Sequence, residues 1–379
     1  MRAATGAGFL WDPSVATHVY REDHPLKPER LIGVRDTLER LGAFARPDAR
    51  VLTPRSATRQ EIERIHASEY VEAVTHASAE PDLDYSMWGL SAFGDTPPFS
   101  GMHEVSLLTT GGSLIAMEEV LAGRLRVAVN YSGGLHHAMK RRASGFCIYN
   151  DPAIVCGLLA DRGLRVAYVD IDAHHGDGVQ AAFYDTDRVL TISLHESGRS
   201  LFPGTGFASE RGRGAGAGYS INVALPAYTD DTAYIRAFDA VVPELLARYQ
   251  PDVLVTQQGI DPHFTDPLTH LQISTRAREH VVRAFASSPY LWVAMGGGGY
   301  ALDAVRRTCN QTEPRITRIT RMKKKPKAIL FLSVPIRAIR GQKSSREWVP
   351  LTHCTTIPQK MNFMKPFMRN RSRNCAGLL

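Results

Sequence analysis

The chain has 379 residues and a mass of 41.8 kDa, with 44% hydrophobic and 22% charged residues, a balance that supports a sizeable core and excludes a wholly disordered or fibrous chain. No apolar run approaches the roughly 20 residues that span a bilayer, and the N-terminus lacks the apolar core of a signal peptide. The net charge of +7 is unevenly spread: residues 309–379 carry 16 Lys/Arg against two acids, Glu313 and Glu347, so residues 1–308 carry 29 basic against 36 acidic residues and form a mildly acidic body.

Five apolar runs punctuate that body at 126–130, 165–171, 188–194, 252–256 and 291–295. They are β-branched and continuous rather than alternating, the pattern of strands buried on both faces of a parallel sheet. Helical periodicity lies between them. Residues 151–161 carry Ile154, Val155, Leu158 and Leu159; residues 232–249 carry Ile235, Phe238, Val242 and Leu246. Alternating strands and helices predict an α/β fold: a single, doubly wound, mainly parallel sheet with helices on both faces. The glycine-rich stretch at 212–218 reads as a surface loop. A second, 296–299, follows a strand directly and lacks GxGxxG spacing.

In open α/β sheets, ligands bind beyond the carboxyl ends of the strands. The first run leads into Tyr131-Ser-Gly-Gly-Leu-His136-His137. The second leads into Asp170-Ile-Asp172-Ala-His174-His175-Gly-Asp177. The third ends in Ser193-Leu-His195, the fourth leads to Asp261, and the fifth to four glycines and Tyr300. Five strand ends delivering His, Asp and Tyr to one edge predict an active site. Asp170-x-Asp172-x-His174 at a strand end puts three side chains on one side. Two carboxylates and an imidazole, counting Asp261, suit a divalent metal with an open position; zinc and iron(II) take the same donors. The tandem His136-His137 suits acid/base work, with Asp170 and Asp177 as candidates to fix the tautomers. Tyr300 can donate its hydroxyl to a substrate carbonyl, because the preceding glycines permit close backbone approach.

These residues fall within longer strings. They include His24-Pro-Leu-Lys-Pro-Glu-Arg30-Leu, Pro98-Phe-Ser-Gly-Met-His-Glu104, Gly133-Gly-Leu-His-His-Ala138 and Gly145-Phe-Cys-Ile-Tyr-Asn-Asp151. Val169-Asp-Ile-Asp-Ala-His-His-Gly-Asp-Gly178, Phe202-Pro-Gly-Thr-Gly206 and Gly296-Gly-Gly-Gly-Tyr300 complete the set. Together they resemble the zinc-dependent histone deacetylase family of the arginase/deacetylase fold, and most of all its bacterial acetoin-utilization branch, over roughly residues 8–308. The resemblance implies hydrolysis of the acetyl amide of N-acetyl-lysine in an acetylated protein or peptide. It implies Asp172, His174 and Asp261 as ligands of Zn2+ (or Fe2+), and His136 and His137 as the catalytic pair backed by Asp170 and Asp177. Tyr300 would polarise the acetyl carbonyl. Phe146 and Phe202 would wall a tunnel with Gly145 at its side, Leu268 near the rim, and Asp95 holding the substrate backbone. Arg30 would line an inner cavity. The family also binds monovalent cations such as K+. Asp170, Asp172, His174, Ser193 and Leu194 match its inner site; Phe183, Thr186, Val189 and Tyr219 match its outer one.

Three other readings follow from the same residues. An acetylpolyamine amidohydrolase shares the site with a different entrance. A two-metal ureohydrolase needs further carboxylates, and here Asp261 is followed by Pro262 and His263. A binding module inactivated by an altered C-terminus keeps the fold without the chemistry. The expected division is a deacetylase domain at 1–308 and a basic tail at 309–379, atypical of the family and without fixed structure. The tail holds three of the five cysteines and Lys323-Lys-Lys-Pro-Lys327. Such a segment suits nucleic acid or nuclear import, but the composition changes in mid-element, which favours a rearranged end that encodes no evolved structure. No nucleic-acid or membrane partner is expected for the body. With no CxxC pair among the five cysteines, the chain reads as cytoplasmic with reduced thiols.

Overall fold

A computed structural model describes residues 6–17 and 20–308; the basic tail and the boundary expected at 308/309 lie outside the described residues. The strands are β1 (Ala7–Leu10), β2 (Ala49–Leu52), β3 (Val127–Asn130), β4 (Val166–Asp170), β5 (Val189–Glu196), β6 (Ser220–Leu225), β7 (Val253–Gln257) and β8 (Leu291–Met295). The helices are α1 (Glu29–Arg40), α2 (Arg59–Ile62), α3 (Ser68–Ala79), α4 (Met102–Leu121), α5 (Asp151–Asp161), α6 (Asp177–Phe183), α7 (Asp231–Tyr249) and α8 (Thr275–Ser287). Residues 302–308 are also helical.

The strands form one sheet in the order β2-β1-β3-β8-β7-β4-β5-β6, and every pairing is parallel. The five runs read from the sequence are the five consecutive strands β3, β8, β7, β4 and β5; short, glycine-containing β1, also internal and buried, is not among them. Their continuity has a simple cause. Successive side chains of a strand point to opposite faces, and here both faces are covered. Val127, Val129, Ala167, Val169, Leu254, Trp292 and Ala294 enter one core with α1, α7 and α8. Ala128, Val166, Tyr168, Val253, Val255, Val293 and Met295 enter a second core with α3, α4 and α5. The outer strands read less plainly. β2 is half exposed and β6 only partly buried, so neither carries a continuous apolar run.

Chain order reverses between β3 and β4, which lie on either side of the β8–β7 pair. Ligands of open α/β sheets bind at such a switch point, outside the carboxyl ends. The ends of β3, β8, β7 and β4 therefore bring segments 131–138, 296–300, 257–261 and 170–177 together. The 212–218 stretch forms a loop with a short 3-10 turn at Gly214–Gly216, leading into β6.

Candidate active site

β4 ends at Asp170, and the chain then descends through two side-chain-capped turns. Asp170 accepts from the Asp172 amide (3.1 Å), and Asp172 accepts from the His174 amide (3.0 Å). These turns, rather than a continued strand, aim the side chains. The pleat expectation is therefore corrected: Asp172 and His174 converge, whereas Asp170 turns to other partners. It accepts from the Tyr168 hydroxyl (2.6 Å) and from His136 Nδ1 (2.7 Å).

Asp172, His174 and Asp261 meet at the centre. His174 Nδ1 lies 3.1 Å from Asp172 Oδ1 and 3.0 Å from Asp261 Oδ2, and one donor atom from each residue lies within 4.8 Å of the others. Each carboxylate has further support. Asp172 Oδ2 accepts from Gln257 Nε2 (2.7 Å) and the Gly298 amide (2.8 Å); Asp261 Oδ1 accepts from the Ala173 amide (2.8 Å). Gly298 carries no side chain because a Cβ there would collide with the Asp261 carboxylate. Burial and the neighbouring Asp172 charge push Asp261 up the pH scale. Burial opposes charge on His174, yet the two carboxylates outweigh it and raise His174 to about 10. Two buried acids and an imidazole aimed at one point call for a cation. The donor set, two oxygens and one nitrogen, fits zinc or iron(II).

The imidazole pair adjoins this trio. His136 donates Nδ1–H to Asp170, and His137 donates Nδ1–H to Asp177 Oδ1 (2.7 Å). Their Nε2 atoms face each other at 3.0 Å, a separation that leaves room for one shared proton. Burial disfavours charge on both. For His136 the Asp170 and Asp172 carboxylates overcome it and raise the pKa to about 9; for His137 the nearby His136 charge adds to burial and the pKa falls. Environments that push two neighbours apart in this way separate a proton holder from a proton acceptor.

Aromatic rings flank the pair. Phe202 meets His137 edge-on at 5.0 Å, and Phe146 meets Tyr300 at 5.7 Å. Phe146 follows Gly145, whose amide donates to Asp95 Oδ2 (3.0 Å). Leu268 is 36% exposed, on the loop that leaves Asp261. Arg30 donates to the carbonyls of Gly297 and Gly298 and lines a pocket of about 60 Å³ together with Tyr20, Leu31, Phe146 and Ile148. Tyr300 is fixed through its backbone, its amide donating to Asp266 Oδ2 (2.8 Å); burial and the Asp261 charge raise its phenol well above the ordinary value.

The remaining residues from the sequence occupy β5 and its surroundings. Ser193 pairs with Asp170 across the β4–β5 register, and Leu194 follows it. Phe183 ends α6, Thr186 lies in the turn after it, Val189 opens β5, and Tyr219 precedes β6.

Several residues at the site escape a reading by sequence. Gln257 bridges Asp172 and the Gly134 carbonyl (3.3 Å), Tyr168 buttresses Asp170, and Asp266 holds Tyr300. Gln257 alone carried a signal, as a buried amide at the end of an apolar strand.

The sequence pattern of the histone deacetylase domain matches residues 24–313. The chain belongs to the histone deacetylase family. Among its deacetylase-family relatives, the acetoin utilization protein AcuC of Bacillus subtilis is 42% identical over 300 residues, 77% of each chain. Histone deacetylase clr6 of Schizosaccharomyces pombe is 35% identical over 301 residues, 79% of this chain and 74% of that one. The solved structure of a histone deacetylase homologue from Aquifex aeolicus superposes with a TM-score of 0.75 at 31% identity, covering 82% of this chain and 84% of that one. A histone deacetylase homologue complexed with SAHA gives the same values. The deacetylase chain is thus a hydrolase of that family, with the arginase/deacetylase architecture foreseen. Among its described residues no helix is long and apolar enough to cross a membrane.

Proposed function

We propose that this deacetylase-family hydrolase cleaves the acetyl amide of N-acetyl-lysine in proteins or peptides and releases acetate. The observation that carries the reading is the buried His136–His137 pair, each ring on its own carboxylate, beside the Asp172/His174/Asp261 trio. An amide is a poor electrophile and water a poor nucleophile, so both need activation. A divalent cation held by the trio, zinc with iron(II) as the alternative, supplies Lewis acidity for the carbonyl and a lowered pKa for water.

The chain's own groups do the rest. His137, whose ring lies 5.9 Å from that of His174, takes the water proton. The pair then returns a proton to the departing lysine amine. Tyr300 donates to the oxygen on which negative charge develops. Asp170 and Asp177 keep the Nε2 atoms facing the reaction by holding Nδ1–H. Phe146 and Phe202 wall the tunnel, and an aromatic wall takes a neutral acetylated stem more readily than an ammonium. Gly145 lies at the tunnel's side, Leu268 near the rim and Asp95 holds the substrate backbone, and Arg30 serves the cavity through which acetate leaves.

A K+ ion beneath the site would draw on Asp170, Asp172, His174, Ser193 and Leu194, with a second near Phe183, Thr186, Val189 and Tyr219. The names of the bacterial relatives support a link to acetoin utilization. The cysteine usage supports action in the cytoplasm, with Cys147 and Cys156 buried as free thiols. The test compares kcat/KM for an acetyl-lysine peptide with that for N-acetylputrescine and N-acetylspermidine. Preference for the peptide supports the reading; a clear preference for the polyamines overturns it.

A further inference from the structure

The His136–His137 dipeptide sits in an irregular segment, so its geometry has to be imposed from outside. The N-terminus of α5 lies against it from both sides. Upstream, the buried Asp151 carboxylate accepts from the amides of Gly134 (3.0 Å) and Leu135 (2.9 Å) and from the Ser113 hydroxyl. The Gly133–Gly134 turn permits this approach: a Cβ on Gly133 would strike the carboxylate, and Gly134 has φ +91°. Downstream, Asn150 Nδ2 donates to the carbonyls of His136 and Ala138, both at 3.0 Å. The same side chain's Oδ1 accepts from the Ala153 amide (2.9 Å) and so caps α5. Behind Asn150, His66 Nε2 accepts its amide proton (2.9 Å) while His66 Nδ1–H donates to Met139 O (3.0 Å).

Asn150 therefore uses both ends of its amide, one on the helix and one on the two carbonyls that bracket His137. The carbonyl contacts give α5 nothing, because its first-turn amides are already met by the Oδ1 cap on Ala153 and by backbone carbonyls that accept from Asp151 and Ile154, and Pro152 has no N–H. They fix the backbone from which both imidazoles project. We propose that Asn150 is a positioning residue for the imidazole pair, holding the two Nε2 atoms face to face through its bonds to the His136 and Ala138 carbonyls. The inference rests on the acid/base role of that pair.

Asn150→Ser separates the two jobs. Serine caps a helix about as well as asparagine but has no donor that reaches the two carbonyls. Asn150→Asp also keeps the cap and the size, and turns a carboxylate oxygen toward the two carbonyl oxygens. For both variants kcat, KM, bound metal and melting temperature are measured on the full chain. Asp230→Ala, which removes the cap of the remote α7, serves as the control for a purely structural loss.

The expected result is a fall in kcat of about 10-fold or more, since a misplacement of reacting groups by about 1 Å costs up to about 10²-fold. KM and metal content stay at wild-type values, and Asn150→Asp loses more than Asn150→Ser. The Asp230→Ala control melts lower and keeps its kcat. Wild-type kcat in both Asn150 variants, or a fall in kcat that tracks lost metal or lost folded protein, overturns the positioning role. His137→Ala distinguishes the two levels. If it retains activity, the acid/base reading itself fails; if it is dead while both Asn150 variants are normal, only the present inference fails. Should one Asn150 variant not fold, the other decides.

Discussion

His66 provides a measurable link between protonation and the integrity of the site. The side chain is 2% exposed, and its two ring nitrogens have opposite tasks: Nδ1–H donates to Met139, and Nε2 accepts from Asn150. Only the neutral ring can do both. Protonation would place an N–H against the Asn150 N–H and put a charge in a dry interior. Burial accordingly depresses the pKa from 6.5 to about 4, against a smaller upward pull from the Met139 carbonyl. Because the folded value is the lower one, the unfolded chain binds the extra proton. The stability due to neutral His66 is complete above pH 6.5 and drains away as pH falls from there toward 4.

Between pH 7 and pH 5, that linkage removes about 2 kcal/mol, at about 1.4 kcal/mol per pKa unit. His175 and His195 are also depressed to about 4, mainly by burial, so wild-type acid sensitivity has several sources. The informative quantity is a difference. Urea unfolding of the full chain at pH 7.0 and 5.0, for wild type and His66→Gln, should show the variant weaker at pH 7.0 by about 1–3 kcal/mol from the disturbed bonds. It should also lose about 2 kcal/mol less than wild type on acidification. Parallel losses in the two proteins would refute the assignment of the proton to His66.

Three further predictions concern the chemistry. Asp172→Ala removes a donor atom from the trio, so the purified variant should hold no divalent metal by elemental analysis and release no acetate; full metal occupancy would count against the ligand set. Tyr300→Phe keeps the ring and deletes one donor, so kcat should drop about 10²–10³-fold with metal content intact, and a near wild-type kcat would make the tyrosine a packing residue. In Asp266→Asn the side chain no longer accepts as an anion from the Tyr300 amide; kcat should fall with KM little changed, and the loss should be much smaller in a Tyr300→Phe background, because both act through one oxyanion contact.

The legibility of this molecule in its sequence follows burial. Inner strands such as Val166–Asp170 and Val253–Gln257 announce themselves because both faces are dry and their leading positions are apolar, with polar groups only at the carboxyl ends that meet the site. Edge strand Ala49–Leu52 does not, since solvent relaxes its composition and Arg50 is as acceptable as Val51. At the site, the residues whose own chemistry is distinctive, His136, His137, Asp172, His174, Asp261 and Tyr300, stand out at strand ends. Asp266, Asn150 and Gln257 do not. Their partners are backbone groups or side chains up to 123 residues distant in the chain, and an amide or carboxylate that bonds a distant main-chain atom leaves no periodic trace.

The sheet also works as a partition. Tyr168 and Val169 are neighbours in the chain but belong to opposite compartments, as do Val293 and Ala294. A void opened by Val169→Ala faces α7 and α8, whereas one opened by Val293→Ala faces α4 and α5, with a layer of hydrogen-bonded backbone between them. Neighbouring atoms that relax around one void are therefore not those that relax around the other. Free-energy costs of paired truncations should sum when the pair straddles the partition, and depart from a sum by about 0.5 kcal/mol or more when both lie in one compartment. Adjacent positions in the sequence would thus behave as strangers, while residues far apart in the chain but sharing a compartment would behave as neighbours.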